Sequence, residues 1–458
     1  MTSKNSRREF LKRASALSAA GAAAPWALNL AAIGEAAAQS APTDYKALVC
    51  VFLYGGNDHG NTLVPYDTSS YSAYASLRGG LATNRDLLAS TVLAPASALP
   101  DGRQYALAPE LLPLKPVFDA GRMGVLLNIG PLIQPTTKAQ YSARSVPLPP
   151  KLFSHNDQQS VWQASNPEGA ASGWGGRMGD LFAAGNSQAT FTSVSVSGNA
   201  VYLSGNSVAQ YQVSSNGSVP INGIANALYG SSAAAQALRS IITSTPSSSN
   251  FEREHARVVQ RSIDANVGLT GALTGAPALT TVFPATRLAS QLRMVARMIS
   301  ARSALGAKRQ VFFVSIGGFD NHDNLLTDHP VLLAEVGGAL AAFDAAMVEL
   351  GVSSQVTAFT ASDFGRTLAS NGDGSDHGWG SYHFVTGGAL KSRSLFGQAP
   401  LLGSSGPDDV GQGRMLPSMA VDQFAATLAT WMGVSATNLN TVVPAIGNYS
   451  VKNLSLFV

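Results

Sequence analysis

The stretch KALVCVFLYGGNDHG, residues 46–60, decides the fold class of this 458-residue chain. Its first nine residues form an almost unbroken apolar run, and glycines and polar residues follow at once. An apolar run without alternation is typical of a strand that is buried on both faces, as strands of parallel sheets are. The stretch therefore predicts a β-strand over 46–54 within a parallel sheet.

Three further apolar runs end in the same way: MGVLLNIG (123–130), QVFFVSIGG (310–318) and QVTAFTASDFG (355–365). Helical patterns separate them. In RLASQLRMVARMISAR (287–302), Leu288, Leu292, Val295 and Ile299 fall on one helical face. Two more segments have helical patterns, 331–351 and 421–434. Strands that alternate with helices predict an α/β fold with a mostly parallel central sheet.

The composition suits one large domain with an ordinary core. Hydrophobic residues make up 45% of the chain and charged residues 12%, which is too apolar for general disorder. Residues 191–250 are rich in Ser, Asn, Gly and Thr and contain short β-like pieces. We therefore expect a single domain over 39–458 with a loop-rich insertion around 191–250.

The N-terminus has the pattern of an export signal. SRREFLK at 6–12 is followed by an Ala-rich apolar stretch over 14–33 and then by EAAAQ. The pair Arg7–Arg8 makes the signal the twin-arginine type. We expect residues 1–38 to be removed and the mature chain to be periplasmic or secreted. No other segment has the ~18 consecutive apolar residues of a membrane span.

Charge and cysteine content exclude some classes. The net charge of +3 comes from 30 basic and 27 acidic residues, and removing the five basic and two acidic residues of 1–38 leaves 25 of each. A neutral mature chain gives no indication of a nucleic-acid partner. Cys50 is the chain's one cysteine, so no disulfide can form within it. It lies inside the predicted strand 46–54, where a buried thiol is expected rather than a nucleophile.

Acidic and histidine residues collect where the predicted strands end. Loops beyond the carboxyl ends of strands carry the functional groups of open α/β sheets. Carboxylates and imidazoles together suit zinc, manganese or iron. The candidate metal ligands are Asp58, Asp320, His322, Asp363, Asp376, His377 and His383.

Plainer roles remain open for several of these residues. Asp58 and Asp363 can each cap a helix. Arg366 can form an ion pair with the fold or bind an anionic substrate through two hydrogen bonds. Asp376 and His377 can be loop residues without a ligand. No glycine motif typical of dinucleotide binding follows a predicted strand.

Several motifs together resemble a known family. They are LYGGNDHGNTLVPY (53–66), FSHNDQQSVWQ (153–163), SGWGGRMGD (172–180), GGFDNHDN (317–324), ASDFGRTLASNGDGSDHGWGSYHF (361–384) and VTGGAL (385–390). This set resembles the exported bacterial family known as domain of unknown function 1501, which is similar to the alkaline phosphatase and sulfatase superfamily. The resemblance implies an alkaline-phosphatase-like three-layer sandwich, with helices on both faces of a mostly parallel sheet.

The superfamily resemblance also implies a ligand set. A metal-binding Asp after the first strand matches Asp58, and a later strand followed by an Asp matches Asp320. The usual His four residues beyond is Asn324 here, so His322 is expected to substitute.

The rest of the implied set lies in the last conserved motifs of the superfamily. TASDFG places Asp363 at the Asp of the usual T-A-D-H-G loop and Phe364 at its His. Asp376 and His377 are then expected to supply the missing ligand, and His383 matches the last His.

The nucleophile is left open between three groups. Superfamily enzymes place it at a helix N-terminus, where the helix dipole favours the ionised form. SHNDQQSVW is the candidate helix start, and its register allows either Ser154 or His155. Water activated by a metal is the third possibility.

The leading hypothesis is an exported metal-dependent hydrolase of phosphate or sulfate esters, acting on a small anionic ester. Zinc is the first expectation for its divalent metal, with manganese, calcium or iron as alternatives, and Arg366 is expected to bind the anion. The altered TASDFG loop and the open nucleophile motivate an alternative, a non-catalytic binding or assembly protein on the same fold. A third idea is an oxidoreductase loaded with its cofactor before export.

Overall fold

A computed structural model describes residues 42–403 and 406–458. The predicted signal peptide, residues 1–38, lies outside the described residues. The strands in the described ranges are β1 (Lys46–Leu53), β2 (Leu63–Pro65), β3 (Tyr105–Leu107), β4 (Met123–Gly130), β5 (Ser193–Ser195), β6 (Tyr211–Gln212), β7 (Arg309–Ile316), β8 (Val356–Ser362), β9 (Arg366–Ser370), β10 (Ser375–His377), β11 (Ser381–Thr386), β12 (Leu395–Phe396) and β13 (Met419–Ala420).

Helices connect most of these strands. The α-helices in the described ranges are α1 (Thr68–Arg78), α2 (Lys115–Asp119), α3 (Lys138–Ala143), α4 (His155–Ala164), α5 (Trp174–Phe182), α6 (Ser232–Ile242), α7 (Asn250–Gly275), α8 (Arg287–Ser300), α9 (Leu325–Glu349), α10 (Val421–Met432) and α11 (Leu439–Val442).

A nine-stranded sheet forms the centre of the described chain. Its order is β12-β4-β11-β8-β1-β7-β5-β6, with β13 beside β4. β1 pairs in parallel with both β7 and β8, and β11 runs antiparallel to its neighbours β8 and β4. The predicted α/β fold with a mostly parallel sheet is therefore confirmed, and the predicted strands over 46–54, 123–130, 310–318 and 355–365 correspond to β1, β4, β7 and β8.

Successive side chains of β1 enter two separate cores. Val49 and Val51 pack in the core that α8 and α9 cover, whereas Leu48 and Phe52 pack in the core that α5 and α10 cover. This alternation follows from the period of two in a strand. Because both faces are covered by apolar helices, the run can be apolar throughout, and the result is the expected three layers. Cys50 is buried in the second core, as predicted.

The region 191–250 is less separate than the sequence indicates. β5 pairs with β7 and β6 pairs with β5, so the beginning of the predicted insertion extends the central sheet at one edge. These strands are only two and three residues long, which is too short for a periodic apolar pattern to reveal them.

α9 begins at Leu325, six residues before the predicted start at 331, and it includes Pro330. By length and composition it is also the one described helix that could cross a membrane. Half of its most apolar window is buried inside the fold, where α8 packs against it. A core helix of a soluble protein has the same properties, so this helix is weak evidence for a membrane span.

Candidate metal centre

Three adjacent parallel strands end at the same level and place their following loops together. Leu53 at the end of β1 lies opposite Ile316 of β7 and Ser362 of β8. Gly55 follows β1 with a φ of +115°, and a Cβ there would lie 2.4 Å from the backbone nitrogen of Asp320. Only glycine therefore allows the loop after β7 to come this close.

The carboxylate of Asp320 lies at the centre of the group formed by these loops. The Nε2 atoms of three histidines surround it: His155 Nε2 is 3.4 Å from Oδ2, and His322 Nε2 and His377 Nε2 are 3.1 Å and 3.3 Å from Oδ1. The Asp320 side chain is 46% exposed, so the group opens to solvent. We call Asp320, His155, His322 and His377 the Asp–His cluster.

Each histidine of the cluster directs its Nδ1 at an oxygen that can only accept a hydrogen bond. These contacts are His155 Nδ1 to Asp363 Oδ2 (2.6 Å), His322 Nδ1 to Asp376 Oδ1 (3.2 Å) and His377 Nδ1 to the Phe153 carbonyl (2.7 Å). The protons of the neutral rings therefore belong on Nδ1, which leaves a lone pair on each Nε2. This orientation through Nδ1 is typical of metal-binding histidines.

His322 Nε2 and His377 Nε2 lie only 2.9 Å apart. Two lone pairs at this distance repel each other unless a proton or a metal ion lies between them. In addition, potential ligand atoms of His155, Asp320 and His377 all lie within 4.8 Å of one another. Imidazole nitrogen and carboxylate oxygen are ligands of zinc, so the cluster fits a divalent metal.

Charge and burial set the protonation of the cluster. Burial alone would raise the pKa of Asp320, but the hydrogen bond and charge of Arg366 outweigh it and lower that pKa. The hydrogen bond with Asp363 raises the pKa of His155, whereas burial lowers the pKa of His377. Asp320 is thus ionised at neutral pH, as a metal-binding carboxylate must be.

Arg366 is fully buried behind Asp320. Its Nη1 donates to Asp320 Oδ1 at 2.8 Å and to the Gly55 carbonyl at 2.9 Å, and its Nε donates to the Ser375 carbonyl at 3.0 Å. These donors are occupied by the protein. In this structure Arg366 therefore holds Asp320 in place, and these donors are not available to the predicted anion.

α4 begins at His155, and Ser154 is the residue that precedes it. The Ser154 hydroxyl donates to Asp157 Oδ2 at 3.0 Å and does not cap the helix. Of the two residues that the sequence leaves open as nucleophile, His155 therefore faces Asp320 and Ser154 is turned toward its own helix.

Two predicted ligands lie apart from the cluster. Asp58 is buried and accepts from Arg78 Nη2 at 2.9 Å, from the Ser375 hydroxyl at 2.6 Å and from the Asn61 backbone at 3.0 Å. Arg78 balances the charge that a buried carboxylate would otherwise leave unpaired. Among the described residues, Asp58 thus caps a short helix, the alternative role that the sequence leaves open, and does not contact Asp320.

His383 is the second of these. It is buried on β11, where its Nδ1 lies 3.2 Å from the Thr360 hydroxyl and its ring packs edge-on against Trp162. Burial lowers its pKa to about 3. Within the described ranges its contacts place it in the interior of the fold and outside the Asp–His cluster.

Asp363 and Asp376 lie one step away from the centre. Asp363 is fully buried, and besides His155 it accepts from Gln159 Nε2 at 2.7 Å and from the Gly55 backbone at 3.2 Å. Asp376 accepts from Asn371 Nδ2 at 3.0 Å. Both carboxylates therefore orient histidines of the cluster.

Sequence reasoning missed some residues that build the site. Gln159 follows His155 by four residues on one helix, a spacing that places both on the same face, so it could have been found. Phe153 and Arg414 carry no such signal. Arg414 Nε donates to the His377 carbonyl at 2.9 Å from a loop 37 residues away in sequence.

Comparison with known proteins gives one clear match. The family model described as "Protein of unknown function (DUF1501)" matches residues 45–443, most of the chain. This confirms the family resemblance seen in the motifs. A search of curated proteins finds no significant match.

Several solved structures are similar at a low level. Ps i-CgsB in complex with k-i-k-neocarrahexaose is 9% identical with a TM-score of 0.35, covering 89% of this chain and 77% of its own. The lipoteichoic acid synthase LtaP from Listeria monocytogenes is 8% identical with a TM-score of 0.32, covering 91% and 77%. The Bacteroides thetaiotaomicron protein designated BT33494S-sulf is 10% identical with a TM-score of 0.34, and the match covers 86% of this chain and 74% of that one. Likeness of this degree assigns neither an activity nor a substrate.

Proposed function

We propose that this chain, which belongs to the DUF1501 family, is an exported metal-dependent hydrolase of phosphate or sulfate esters. The observation that carries the proposal is the convergence of three histidine Nε2 atoms on Asp320 while each Nδ1 is held by an oxygen acceptor. The twin-arginine pattern at Arg7–Arg8 supports export.

Asp320, His322 and His377 are the proposed ligands, because both rings lie against the same carboxylate oxygen. Zinc is the metal we propose first, since two imidazoles and one carboxylate form a ligand set found in catalytic zinc sites. A zinc ion held by these three residues would keep a coordination position open for the substrate. Asp376 and the Phe153 carbonyl then fix the two ring orientations.

When bound, the metal would polarise the ester oxygen and lower the pKa of a water molecule. The chain's own residues supply the rest. His155 Nε2 lies 3.4 Å from Asp320 Oδ2, and the carboxylate of Asp363 holds its Nδ1 proton. A histidine oriented in this way can carry a proton on Nε2 to the departing oxygen of the ester. Arg366 keeps Asp320 ionised and in position.

The test is hydrolysis by the purified mature protein across a panel of phosphate monoesters, phosphate diesters and sulfate esters. We expect chelation to abolish hydrolysis, and zinc or another divalent metal to restore it. Asp320→Ala should be inactive, whereas His255→Ala, which removes an exposed histidine of α7, should match the wild type. If no ester in the panel shows hydrolysis that metal restores, the proposal fails.

A second candidate is an exported binding or assembly protein on the same fold. One observation favours it: the Ser154 hydroxyl, a candidate nucleophile, is bonded to Asp157 and turned away from Asp320. It predicts that Asp320→Ala leaves export and partner binding intact. Loss of partner binding in that variant would contradict it.

A further inference from the structure

A cavity of about 470 Å³ lies beside the Asp–His cluster. The end of α3 and the segment leading to α4 form its walls, with lining residues between Tyr141 and Phe153. Phe153 connects the cavity with the Asp–His cluster. It is a lining residue of the cavity, and its carbonyl accepts a hydrogen bond from His377 Nδ1. Because Phe153 belongs to both features, the cavity lies next to the cluster on the Nδ1 side of His377, and we call it the 141–153 cavity.

Cations dominate this part of the surface. Arg144 and Lys151 line the cavity and are exposed. Arg414 lies at its border with the cluster, with its guanidinium 5.1 Å from the Phe153 ring centre. The carboxylate that faces them is Asp157, which is buried and 3.5 Å from Lys151 Nζ. Asp157 balances at most one of these charges, so the cavity favours an anion.

The backbone of the same segment is held in an unfavourable conformation. Arg144 has a φ of 49° as the left-handed C-cap of α3, a common way for a helix to end. Lys151 and Phe153 have φ values of 44° and 74°, in the left-handed region that side chains with a Cβ rarely adopt. Such residues persist only where the surroundings fix them, and they collect at ligand sites. In this segment the conformation places both cations on the cavity wall and the Phe153 carbonyl on His377.

We propose that the 141–153 cavity binds a second anionic group of the substrate. The inference rests on the proposed function and deepens it: the substrate is an ester that carries at least one further phosphate, sulfate or carboxylate. Arg144 and Lys151 pair with that group, and Arg414 lies between it and the ester. Tyr141 and Leu148, which also line the cavity, contact the carbon skeleton of the substrate.

The test is calorimetric binding of inorganic tripolyphosphate at low ionic strength. The charge-removing variant is Arg144→Asn with Lys151→Asn, because asparagine tolerates the left-handed backbone of both positions. We expect it to bind the probe about 10-fold more weakly than the wild type. The control is Arg239→Gln with Arg293→Gln, which removes the same charge from exposed positions on α6 and α8 and should leave binding unchanged.

The same measurement in the Asp320→Ala background separates this inference from the proposed function. Without the proposed metal ligand, the cavity should still bind the probe, and Arg144→Asn with Lys151→Asn should still weaken binding. Equal binding by the cavity variant and the control variant would overturn the inference, whatever the outcome of the hydrolysis assays. Thermal unfolding of each variant confirms that it is folded.

Discussion

At the scale of single residues, the two facing nitrogens of His322 and His377 constrain the chemistry most strongly. Each ring donates from Nδ1 to an acceptor that has no proton of its own, the Asp376 carboxylate or the Phe153 carbonyl. The two Nε2 atoms therefore lie 2.9 Å apart with their lone pairs facing each other, beside an ionised Asp320. The proposed metal ion at this point would relieve the repulsion and bind the carboxylate as well.

Ser154 is expected to stabilise the fold and not to act as the nucleophile. Because its hydroxyl is bonded to Asp157, Ser154→Ala should lower the free energy of unfolding by about 1 kcal/mol and leave ester hydrolysis nearly unchanged. Steady-state kinetics and urea unfolding of the variant measure the two effects. A loss of hydrolysis on the order of 10⁴-fold would identify Ser154 as the nucleophile and contradict this placement.

Part of the cluster could be predicted from the sequence. Asp320 and His322 follow the end of β7, and parallel strands bring the loops at their carboxyl ends together. His377 is the last residue of β10 in the antiparallel β9–β10 hairpin, so this rule could not predict its place. The sequence could not show that Arg78, 20 residues after Asp58, neutralises that carboxylate. It also could not show that the buried Arg366 donates its hydrogen bonds to Asp320 and to two backbone carbonyls. These outcomes depend on distances between distant segments, and no local spacing records them.

At the scale of elements, Gly55 in the loop after β1 controls how close the loop after β7 approaches. Gly55→Ala adds a Cβ that would lie 2.4 Å from the Asp320 nitrogen, at a φ of +115°. We expect the variant to lose about 2 kcal/mol or more of unfolding free energy and to bind metal more weakly. Gly80→Ala is the matched control, since a Cβ at Gly80 meets no atom within 4 Å. Equal stability of the two variants in urea would show that the loop after β7 is not packed this tightly.

The start of α10 carries a buried acid far from the cluster. Burial raises the pKa of Asp422 from 3.8 to about 6, although Ser165 and Arg177 oppose the shift. Because the folded pKa is raised, the stability that depends on protonated Asp422 is complete below about pH 4. It is lost as the pH rises through 6.

Asp422→Asn keeps an acceptor for Ser165 and removes this ionisation. Between pH 4 and pH 7 the wild type should lose about 3 kcal/mol of unfolding free energy that the variant does not lose. The difference in stability between variant and wild type should therefore shift by that amount in favour of the variant. Urea unfolding of both proteins at the two pH values measures the change. A stability difference that stays constant across this range would contradict the raised pKa.

The long elements could be predicted and the short ones could not. β1, β4, β7 and β8 are apolar runs of seven or eight residues, which periodicity detects. The β9–β10 hairpin, which carries Arg366, Ser375 and His377, consists of five and three mostly polar residues. Its strands form because tertiary contacts hold them. The local sequence pattern alone predicts a glycine-rich loop.

At the scale of the whole molecule, the proposed site lies beyond the carboxyl ends of the central strands of a three-layer fold, and export of the chain is proposed from the pair Arg7–Arg8. A twin-arginine signal predicts that the double variant Arg7→Lys with Arg8→Lys is not exported, because this pathway requires the arginine pair. The precursor should then accumulate inside the cell, as measured by fractionation and immunoblotting. Arg13→Lys, the same change outside the pair, should be exported normally. Export of both variants alike would remove the twin-arginine assignment.

Anomalous X-ray diffraction of crystals grown with zinc tests the proposed metal at the Asp–His cluster most directly. We predict an anomalous peak within about 2.0–2.2 Å of the Nε2 atoms of His322 and His377 and of a carboxylate oxygen of Asp320. Crystals of His322→Ala with His377→Ala should lack that peak. Wild-type crystals with no anomalous peak among these three residues, or with zinc bound only elsewhere, would contradict a metal centre at the Asp–His cluster.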